Sequence, residues 1–209
     1  MIWPWQRRPP PQSEPESLAA LEQYDDATLF ARARRKDESA FAVLYARHYQ
    51  RVYRYIAYRT DRLDVAEDLT AEVFLNAWNA VERVRSEEVP ARAWLLRMAH
   101  NEVVDYYRTR RATVPLPDGE TLVAALVQHS PEPDVERRAE YTALVNAVQQ
   151  LPDEWRQLIV LRFVEGLSFE EIGVILGKQS NACRQLQHRA LGRLRDVLQS
   201  AEGRQSHGG

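Results

Sequence analysis

Apolar side chains recur at three- and four-residue steps along most of the chain, which is the period of an amphipathic helix. The pattern begins near Asp25 or Asp26, either of which can cap a first helix, and a second helix begins at 37–39. Further helices are predicted over 65–84 and 91–110. No alternation with a period of two, which is the pattern of a strand, interrupts them. The first half of the chain is therefore predicted to be a bundle of about four helices.

A second group of four helices is predicted after a change in composition. Residues 112–137 are rich in proline and acidic side chains, which indicates a flexible linker. In the group that follows, Ser168 and Glu171 have the spacing of a capping box at the start of the third helix. Gly177 can supply the left-handed residue that ends it, and the fourth helix runs over 180–199. The predicted fold is all-α, with two helical domains joined by a flexible linker.

The predicted boundaries divide the chain into two domains, a linker and two tails. Proline and polar residues dominate the first 24 positions, which predicts a disordered tail. Trp3 and Trp5 are unusual in such a tail; they either bind a partner or have no role. The chain is accordingly divided into a tail at 1–24, a first domain at 25–111, a linker at 112–137, a second domain at 138–199 and a tail at 200–209.

Charge is segregated along the chain, although the formal net charge is only −2. The leading turns of 65–84 are acidic, whereas 91–110 carries arginines interleaved with aromatic residues. Carboxylates also stabilise helix N-termini, and both segments have the pattern of ordinary amphipathic helices in a bundle. The functional alternative is that guanidinium groups bind phosphates while aromatic faces stack on unpaired bases. Because the chain is not basic overall, such binding would need the help of a larger partner.

The third and fourth helices of the second domain follow the helix-turn-helix plan. A short helix and a glycine turn precede a longer basic helix, which lies in the DNA major groove in such motifs. There, Asn and Gln pair with adenine and Arg with guanine. The inner stripe of this helix is predicted to run from Cys183 to Leu198 and to include Leu186 and Leu191. The side chains predicted to be exposed at its start are Gln179, Asn181, Arg184, Gln185, His188 and Arg189.

Two segments resemble a known family. DVAEDLTAEVFLNAW followed by RAWLLRMAHNEVVDYYRTRR resembles the second conserved domain of bacterial sigma factors of the extracytoplasmic-function (ECF) group, within the sigma-70 family. LPDEWRQLIVLRFVEGLSFEEIGVILG resembles the fourth conserved domain of the same group. The resemblance covers about residues 25–111 and 138–198. It implies a transcription initiation factor that binds core RNA polymerase, reads the −10 and −35 promoter elements and opens the −10 DNA.

The resemblance also implies a role for each face. The acidic helix would bind the polymerase clamp, the basic helix would melt and read the −10 element, and the helix-turn-helix would read the −35 element. The polymerase-binding residues would be Glu67, Asp68, Glu72, Phe74 and Asn76. The −10 residues would be Arg92, Trp94, Arg97, His100, Asn101, Tyr106 and Arg108, with some of the aromatic side chains in the core instead.

Three further segments keep two interpretations. In the family, the loop at 85–90 helps to capture a flipped base; the alternative for this chain is a plain connector. The family's linker threads the polymerase and its negative charge mimics RNA; the alternative here is a solvated tether. The fourth helix departs from the family because it begins Asn181-Ala182-Cys183 and exchanges apolar and basic roles at Leu186 and Gln187. This exchange puts the identity of the base-reading side chains in doubt. Cys183 fits a core position, with a redox switch as the alternative.

The sequence contains no glycine-rich phosphate loop, metal cluster or catalytic triad, so we expect no enzymatic activity, metal or cofactor. Its single cysteine excludes an internal disulfide. It has no apolar run near 18 residues and no secretory pattern, which predicts a cytoplasmic protein without membrane insertion. The expected partners are core RNA polymerase and promoter DNA, and the resemblance allows an anti-sigma factor. The rival functions are a one-component helix-turn-helix regulator that binds duplex DNA without polymerase, and a helical adaptor.

Overall fold

The computed structural model describes residues 18–60, 62–84, 89–110 and 135–205. Within these ranges the chain forms α-helices and no strands, as the apolar spacing predicts. The predicted helix over 91–110 is confirmed at both ends. The helices are α1 (Leu18–Leu21), α2 (Asp26–Ala33), α3 (Glu38–Ala57), α4 (Leu63–Ala80), α5 (Ala91–Arg110), α6 (Val135–Gln149), α7 (Asp153–Ile159), α8 (Phe169–Leu176) and α9 (Ser180–Gln205).

Side-chain caps begin the early helices where the sequence predicts them. The Asp25 carboxylate accepts a hydrogen bond from the Thr28 backbone N–H at 2.8 Å, and Asp37 accepts one from the Ala40 N–H at 3.0 Å. Each satisfies a donor that the first turn of a helix leaves unpaired. Between these two helices, Lys36 adopts a φ of 64° and its Nζ donates to the Trp78 carbonyl at 2.9 Å. The turn is thereby fixed to the C-terminal end of α4.

The first domain is built on a core between α3, α4 and α5. Tyr55 and Ile56 of α3 pack with Val73 of α4 and Leu96 of α5, and all four are fully buried. His48 is also buried, with its Nε2 2.8 Å from Asp26 Oδ2. Burial lowers the pKa of His48, although Asp26 opposes this shift. His48 is therefore a packing residue of this domain.

The second domain forms the predicted helix-turn-helix. At the start of α8 the Ser168 Oγ accepts from the Glu171 N–H at 3.2 Å, and Glu171 Oε2 accepts from the Ser168 N–H at 2.9 Å. This reciprocal pair is the predicted capping box. Gly177 ends α8 in the left-handed conformation, with a φ of 66°. A Cβ on Gly173 would lie 2.5 Å from the Lys178 carbonyl oxygen, so the turn needs glycine at that position.

Helix α7 continues as one π-helical turn over Val160–Val164, which the sequence did not predict. In this turn the Glu165 backbone N–H donates to the Val160 carbonyl at 3.1 Å. Gly166 follows with a φ of 65° and reverses the chain. The extra residue in the turn accompanies the burial of the Glu165 side chain, of which 3% is exposed.

The boundaries of the terminal segments need correction. Residues 18–24 were expected in the disordered tail, but 18–21 form α1, and Leu21 is fully buried against α3. The last helix was expected to end at 199, but α9 continues to Gln205. Helix propagation needs only one further hydrogen bond per residue, and no proline or capping glycine stops it at 199. Residues 1–17 and 206–209 of the predicted tails, residue 111 of the first domain and 112–134 of the predicted linker lie outside the described residues.

The two domains pack against each other through α5 and α8. One continuous apolar core includes Leu96 and Ala99 of α5 together with Leu158 and Ile172 of the second domain. The sequence predicted two domains on a tether and gave no sign of this contact. It brings the helix-turn-helix onto the face of the first domain that carries part of the predicted DNA-binding set.

Candidate nucleic-acid and polymerase interfaces

The predicted base-reading side chains, from the residue before α9 to its third turn, are presented to solvent. All six residues of this set are exposed. The Arg184 guanidinium lies 3.2 Å from Glu170 Oε1 and 5.1 Å from the centroid of the Phe169 ring. These two contacts with α8 therefore orient the Arg184 side chain. The exposed set consists of Gln179, Asn181, Arg184, Gln185, His188 and Arg189.

The inner face of α9 differs from prediction at its middle. Leu191 was expected on the buried stripe, but 40% of it is exposed. Leu186 is half-buried and packs against the core, as predicted. Gln187 is half-buried as well, and its Oε1 is buried without a hydrogen-bond partner among the described residues. The apolar and polar roles at 186 and 187 are thus exchanged without putting either side chain on the outer face.

Cys183 is fully buried in this domain. Burial raises the pKa of its thiol, which opposes formation of the reactive thiolate. The structure therefore supports the core interpretation of this cysteine rather than the redox switch.

On α5, three of the predicted −10 residues form an exposed stripe. Arg97, Asn101 and Arg108 are separated by four and seven positions, which places them on one side of a helix. Arg108 Nη2 lies 3.1 Å from Asp105 Oδ1, an exposed ion pair that contributes little free energy. This stripe offers two cations and one amide to a ligand.

Two other predicted −10 residues face the second domain instead. Arg92 donates from Nε and Nη2 to the two carboxylate oxygens of Glu171, at 2.6 and 2.9 Å. His100 Nδ1 lies 3.1 Å from both the Tyr55 hydroxyl and Arg59 Nη1. Burial, assisted by the Arg59 charge, lowers the pKa of His100 to about 4. In this conformation neither residue is as open to DNA as expected: Glu171 of the second domain engages the Arg92 guanidinium, although 39% of that side chain is exposed, and Asp153 and Gln157 lie beside the half-buried His100.

The two predicted aromatic residues of α5 serve packing. Trp94 is half-buried, with its ring centroid 5.2 Å from that of Phe30. Tyr106 is half-buried and packs edge-on against Tyr107 at 5.2 Å. Neither joins the exposed stripe of α5. The aromatic contribution to a base-stacking surface is therefore smaller than the sequence alone suggests.

The acidic face of α4 is exposed with one exception. Glu67, Asp68 and Glu72 are exposed, and Asn76, also exposed, donates to Glu102 Oε1 at 2.8 Å. The prediction that Phe74 belongs to this face is wrong, because only 4% of the residue is exposed. Its ring packs on Tyr45 and Tyr49, with centroid distances of 4.6 and 6.2 Å. Phe74 supports this face from inside and does not form part of it.

A cavity of about 660 Å³ lies beside the loop that precedes α5. Val89 and Pro90 line one wall, and Phe30 and Arg34 of the α2 region line the other. Residues 85–88 of the loop lie outside the described residues. The cavity therefore borders the described end of the loop at 85–90, to which the resemblance assigns base capture.

Sequence reasoning missed a group of three arginines, Arg51 and Arg54 on α3 and Arg59 just after it. Arg51 Nε lies 2.9 Å from Glu165 Oε2, and Arg54 Nη2 lies 3.6 Å from Glu165 Oε1. Arg59 Nη2 lies 3.7 Å from Asp153 Oδ2. The signal in the sequence was the three-residue spacing of Arg51 and Arg54, which puts these two on neighbouring faces of one helix. Their partners lie in the other domain, more than 90 positions away along the chain.

Comparison with known proteins matches both domains. The family model Sigma-70 region 2 matches residues 44–113, and the model Sigma-70, region 4 matches residues 147–196. The ECF RNA polymerase sigma factor BldN of Streptomyces coelicolor is 36% identical over 170 residues, covering 81% of this chain and 64% of BldN. The RNA polymerase sigma factor CarQ of Myxococcus xanthus is 34% identical over 171 residues, covering 79% of this chain and 92% of CarQ.

A solved structure shares the fold. CnrH, in complex with the cytosolic domain of CnrY, superposes with a TM-score of 0.58 at 25% identity. The match covers 84% of this chain and 97% of CnrH.

Two helical domains, the second with a helix-turn-helix, and a pair of exposed faces of opposite charge define a transcription initiation factor of the sigma type. The chain belongs to the sigma-70 family of RNA polymerase sigma factors, in its ECF group. Members of this family are promoter-specificity factors that bind core RNA polymerase and promoter DNA. Among the described residues, no helix combines the length and the apolar character needed to cross a bilayer.

Proposed function

We propose that this chain binds core RNA polymerase through the acidic face of α4 and directs it to promoters through two DNA-reading helices. The first domain, 25–111, would bind polymerase and open the −10 element, while the second, 138–199, would read the −35 element. The observation that carries the proposal is the exposure of six polar side chains, five on α9 and Gln179 just before it, in a chain that matches both sigma regions. The one-component regulator is the rival, because it would use the same helix.

The polymerase-binding surface consists of Glu67, Asp68, Glu72 and Asn76. Three carboxylates on one helix attract a basic partner over a distance of about 10 Å at moderate salt. Asn76 also ties α4 to α5 through Glu102, so polymerase binding and the −10 helix share a rigid frame. The buried Phe74 ring keeps the backbone of α4 in place beneath this surface.

Reading of the −35 element would use the exposed start of α9 in the major groove. Arg184 would pair with guanine, while Gln185 and Asn181 can pair with adenine. A good bidentate pair discriminates against a wrong base by roughly 1–3 kcal/mol. Before it binds DNA, Arg184 must exchange its exposed contact with Glu170, which costs little because surface ion pairs are weak.

Opening of the −10 element would begin on the exposed stripe of α5. Arg97 and Arg108 would bind phosphates of the DNA backbone, and Asn101 would contact the edge of a base. Unpairing a flipped base costs a few kcal/mol, which binding to the separated strand can offset without ATP. The cavity beside Pro90 has the position expected for a captured base. Arg92 and His100 would join this surface only after the two domains separate.

The proposal is tested by in vitro transcription with core polymerase on fragments of the source genome, with and without the chain. Promoter-specific transcripts that require the chain would support it, and their start sites would define both elements. A shifted duplex without polymerase, together with no transcripts, would favour the one-component regulator. No effect in either assay would favour the helical adaptor.

We further propose a cytoplasmic location and regulation by a protein of the anti-sigma class, with no cofactor and no reaction catalysed by the chain. The support is that CnrH was solved with the cytosolic domain of CnrY bound. Affinity purification of the full chain from its source, followed by transcription with and without the co-purified protein, tests for such a regulator. Inhibition of transcription by that protein is expected.

A further inference from the structure

We propose that Arg51, Arg54 and Arg92 form a phosphate-binding surface for promoter DNA, which the carboxylates of Glu165 and Glu171 occupy while the domains are packed. We call these five residues the interdomain clasp. The inference rests on the proposed function, because it assigns additional DNA contacts to the same factor. It adds the two α3 arginines to the promoter-binding surface and gives the second domain a role as a competitor of DNA.

The positive and negative charges of the clasp are divided between the two domains. Every arginine comes from the first domain, and both carboxylates come from the second. Arg92 holds Glu171 through two hydrogen bonds of 2.6 and 2.9 Å, and Arg51 holds Glu165 at 2.9 Å. Arg54 approaches the second oxygen of Glu165 at 3.6 Å. A parallel fork of two N–H donors to two oxygens is the geometry with which arginine binds phosphate as well as carboxylate.

Burial makes occupation by DNA and by the second domain mutually exclusive. The side chains of Glu165 and Glu171 are 3% and 7% exposed, so both carboxylates have lost most of their hydration. A buried carboxylate without its partner is strongly destabilised. If DNA phosphates take the three arginines, the carboxylates must return to water, and the domains must separate. The clasp therefore couples DNA binding to domain opening.

The local backbone structure fixes the positions of the two carboxylates. The π-helical turn places Glu165 against α3, and the capping box holds Glu171 at the start of α8. In the first domain, Arg92 lies five positions before the exposed Arg97 on α5, so the two guanidinium groups are on different faces of that helix and the clasp would add a second cationic face to the −10 helix. Arginines on two faces of the proposed −10 helix favour a nucleic-acid backbone over a protein as the ligand of the clasp.

The first test measures promoter binding by the holoenzyme as a function of salt. Each phosphate contact contributes a slope of about −0.9 to the plot of log K against log salt. Arg51→Gln, Arg54→Gln and Arg92→Gln should each reduce the slope by up to about 0.9 and weaken binding. Arg92→Lys keeps the charge and should restore the slope. Arg47→Gln is the matched control, since its partner Asp26 lies in its own domain.

The second test measures domain separation in the free, full-length chain by energy transfer between dyes. The dyes are attached to Gln50→Cys and Gln199→Cys, both exposed positions, in a Cys183→Ala background. Glu165→Gln with Glu171→Gln should lower the transfer efficiency, because the neutral amides no longer hold the arginines. Gln at 171 can still accept the Ser168 N–H, so the cap of α8 is kept. Glu154→Gln is the control, since its partner Lys178 lies in the same domain.

An unchanged salt slope in all three arginine variants would overturn the phosphate-binding assignment. Unchanged energy transfer in the carboxylate variant would overturn the occupation by Glu165 and Glu171. The proposed function is judged separately, by whether the unmodified chain directs promoter-specific transcription. A chain that does so while its arginine variants keep the slope would retain that function and lose the clasp.

Discussion

The two helices proposed to read DNA, α5 and α9, differ in how much of their surface is free. Helix α9 closes the second domain and carries five of the six predicted contact residues on its exposed side, with Gln179 exposed just before its first residue. Helix α5 lies between α3, α4 and α8, so its seven predicted residues divide among solvent, core and the other domain. Because neighbours cover most of α5, its sequence specifies packing as well as recognition. Helix α4 differs from α9 in the same way, because Phe74, which was predicted to lie on its polymerase-binding face, is buried beneath that face.

The largest effect expected is the loss of stability when Phe74 is truncated. Phe74→Ala removes a ring that is 4% exposed, and such substitutions cost about 3–5 kcal/mol. Leu75→Ala, at a position that is 62% exposed, should change stability by less than about 0.5 kcal/mol. Denaturant unfolding of both variants measures the contrast. Equal free energies of unfolding for the two variants would contradict the burial of Phe74 and the distinction between the buried and exposed sides of α4.

A second, somewhat smaller effect is expected from charge reversal on the exposed side of α4. Asp68→Lys with Glu72→Lys replaces attraction to a basic partner with repulsion, which costs several kcal/mol, or roughly 100-fold in Kd. Titration of core polymerase with the labelled chain measures this. Glu22→Lys, at an exposed position outside this face, is the control. A Kd that does not change, in a variant with normal unfolding, would exclude α4 from the interface.

A smaller and more local effect is expected on α9. Arg184→Ala removes one exposed guanidinium and should cost about 1–3 kcal/mol of discrimination at one position of the −35 element. Competition among promoter fragments that differ at single −35 positions measures this. Polymerase binding should be unaffected, because α9 lies in the other domain. Uniform weakening on every fragment would make Arg184 a phosphate contact rather than a base contact.

The smallest effect expected is a pH dependence of domain packing at His100. Its environment includes Tyr55 of α3, Arg59 just after that helix, and Asp153 and Gln157 of α7, and its pKa is about 4 while the domains are packed. In the separated state the pKa moves towards 6.5, so packing is fully favoured above that pH and weakens as pH falls towards 4.

At pH 5.5 the packing equilibrium should weaken by less than about tenfold, because His100 is only partly buried and Arg59 remains beside it in either state. The dye pair described above measures this. His100→Gln should remove the dependence between pH 4 and 6.5. A variant with the same pH profile as the parent would assign the titration to another group.

Local patterns in the sequence predicted what depends on neighbours in the chain. The ends of α5, the capping box of Ser168 and Glu171, and the turn at Gly177 all follow from a few adjacent residues. The exposed face of α9 was predicted for the same reason, since one stripe of apolar residues defines the opposite side. The exception is Leu191, which lies at the edge of that stripe; Leu194 and Val197, further along the helix, are buried.

What could not be predicted depends on contacts between distant segments. Nothing near Arg92 in the sequence indicates that Glu171 is its partner, and the same is true of Arg51 and Glu165. The apolar stripe predicted for α4 includes buried Phe74 and leaves out exposed Leu75; the resemblance, not this stripe, assigned Phe74 to the polymerase-binding face, and its burial depends on Tyr45 and Tyr49 of α3. The π-helical turn at Val160–Val164 likewise reflects packing rather than any turn-forming residue.

The division of labour between α5 and α9 is tested most directly by probing strand opening in a promoter complex. Permanganate oxidises unpaired thymines, while nuclease protection reports occupancy of the −35 element. We expect the combined variant Arg97→Ala, Asn101→Ala and Arg108→Ala to keep −35 protection and to lose most thymine reactivity at the −10 element. Full reactivity in that variant would contradict the assignment of strand opening to the exposed stripe of α5.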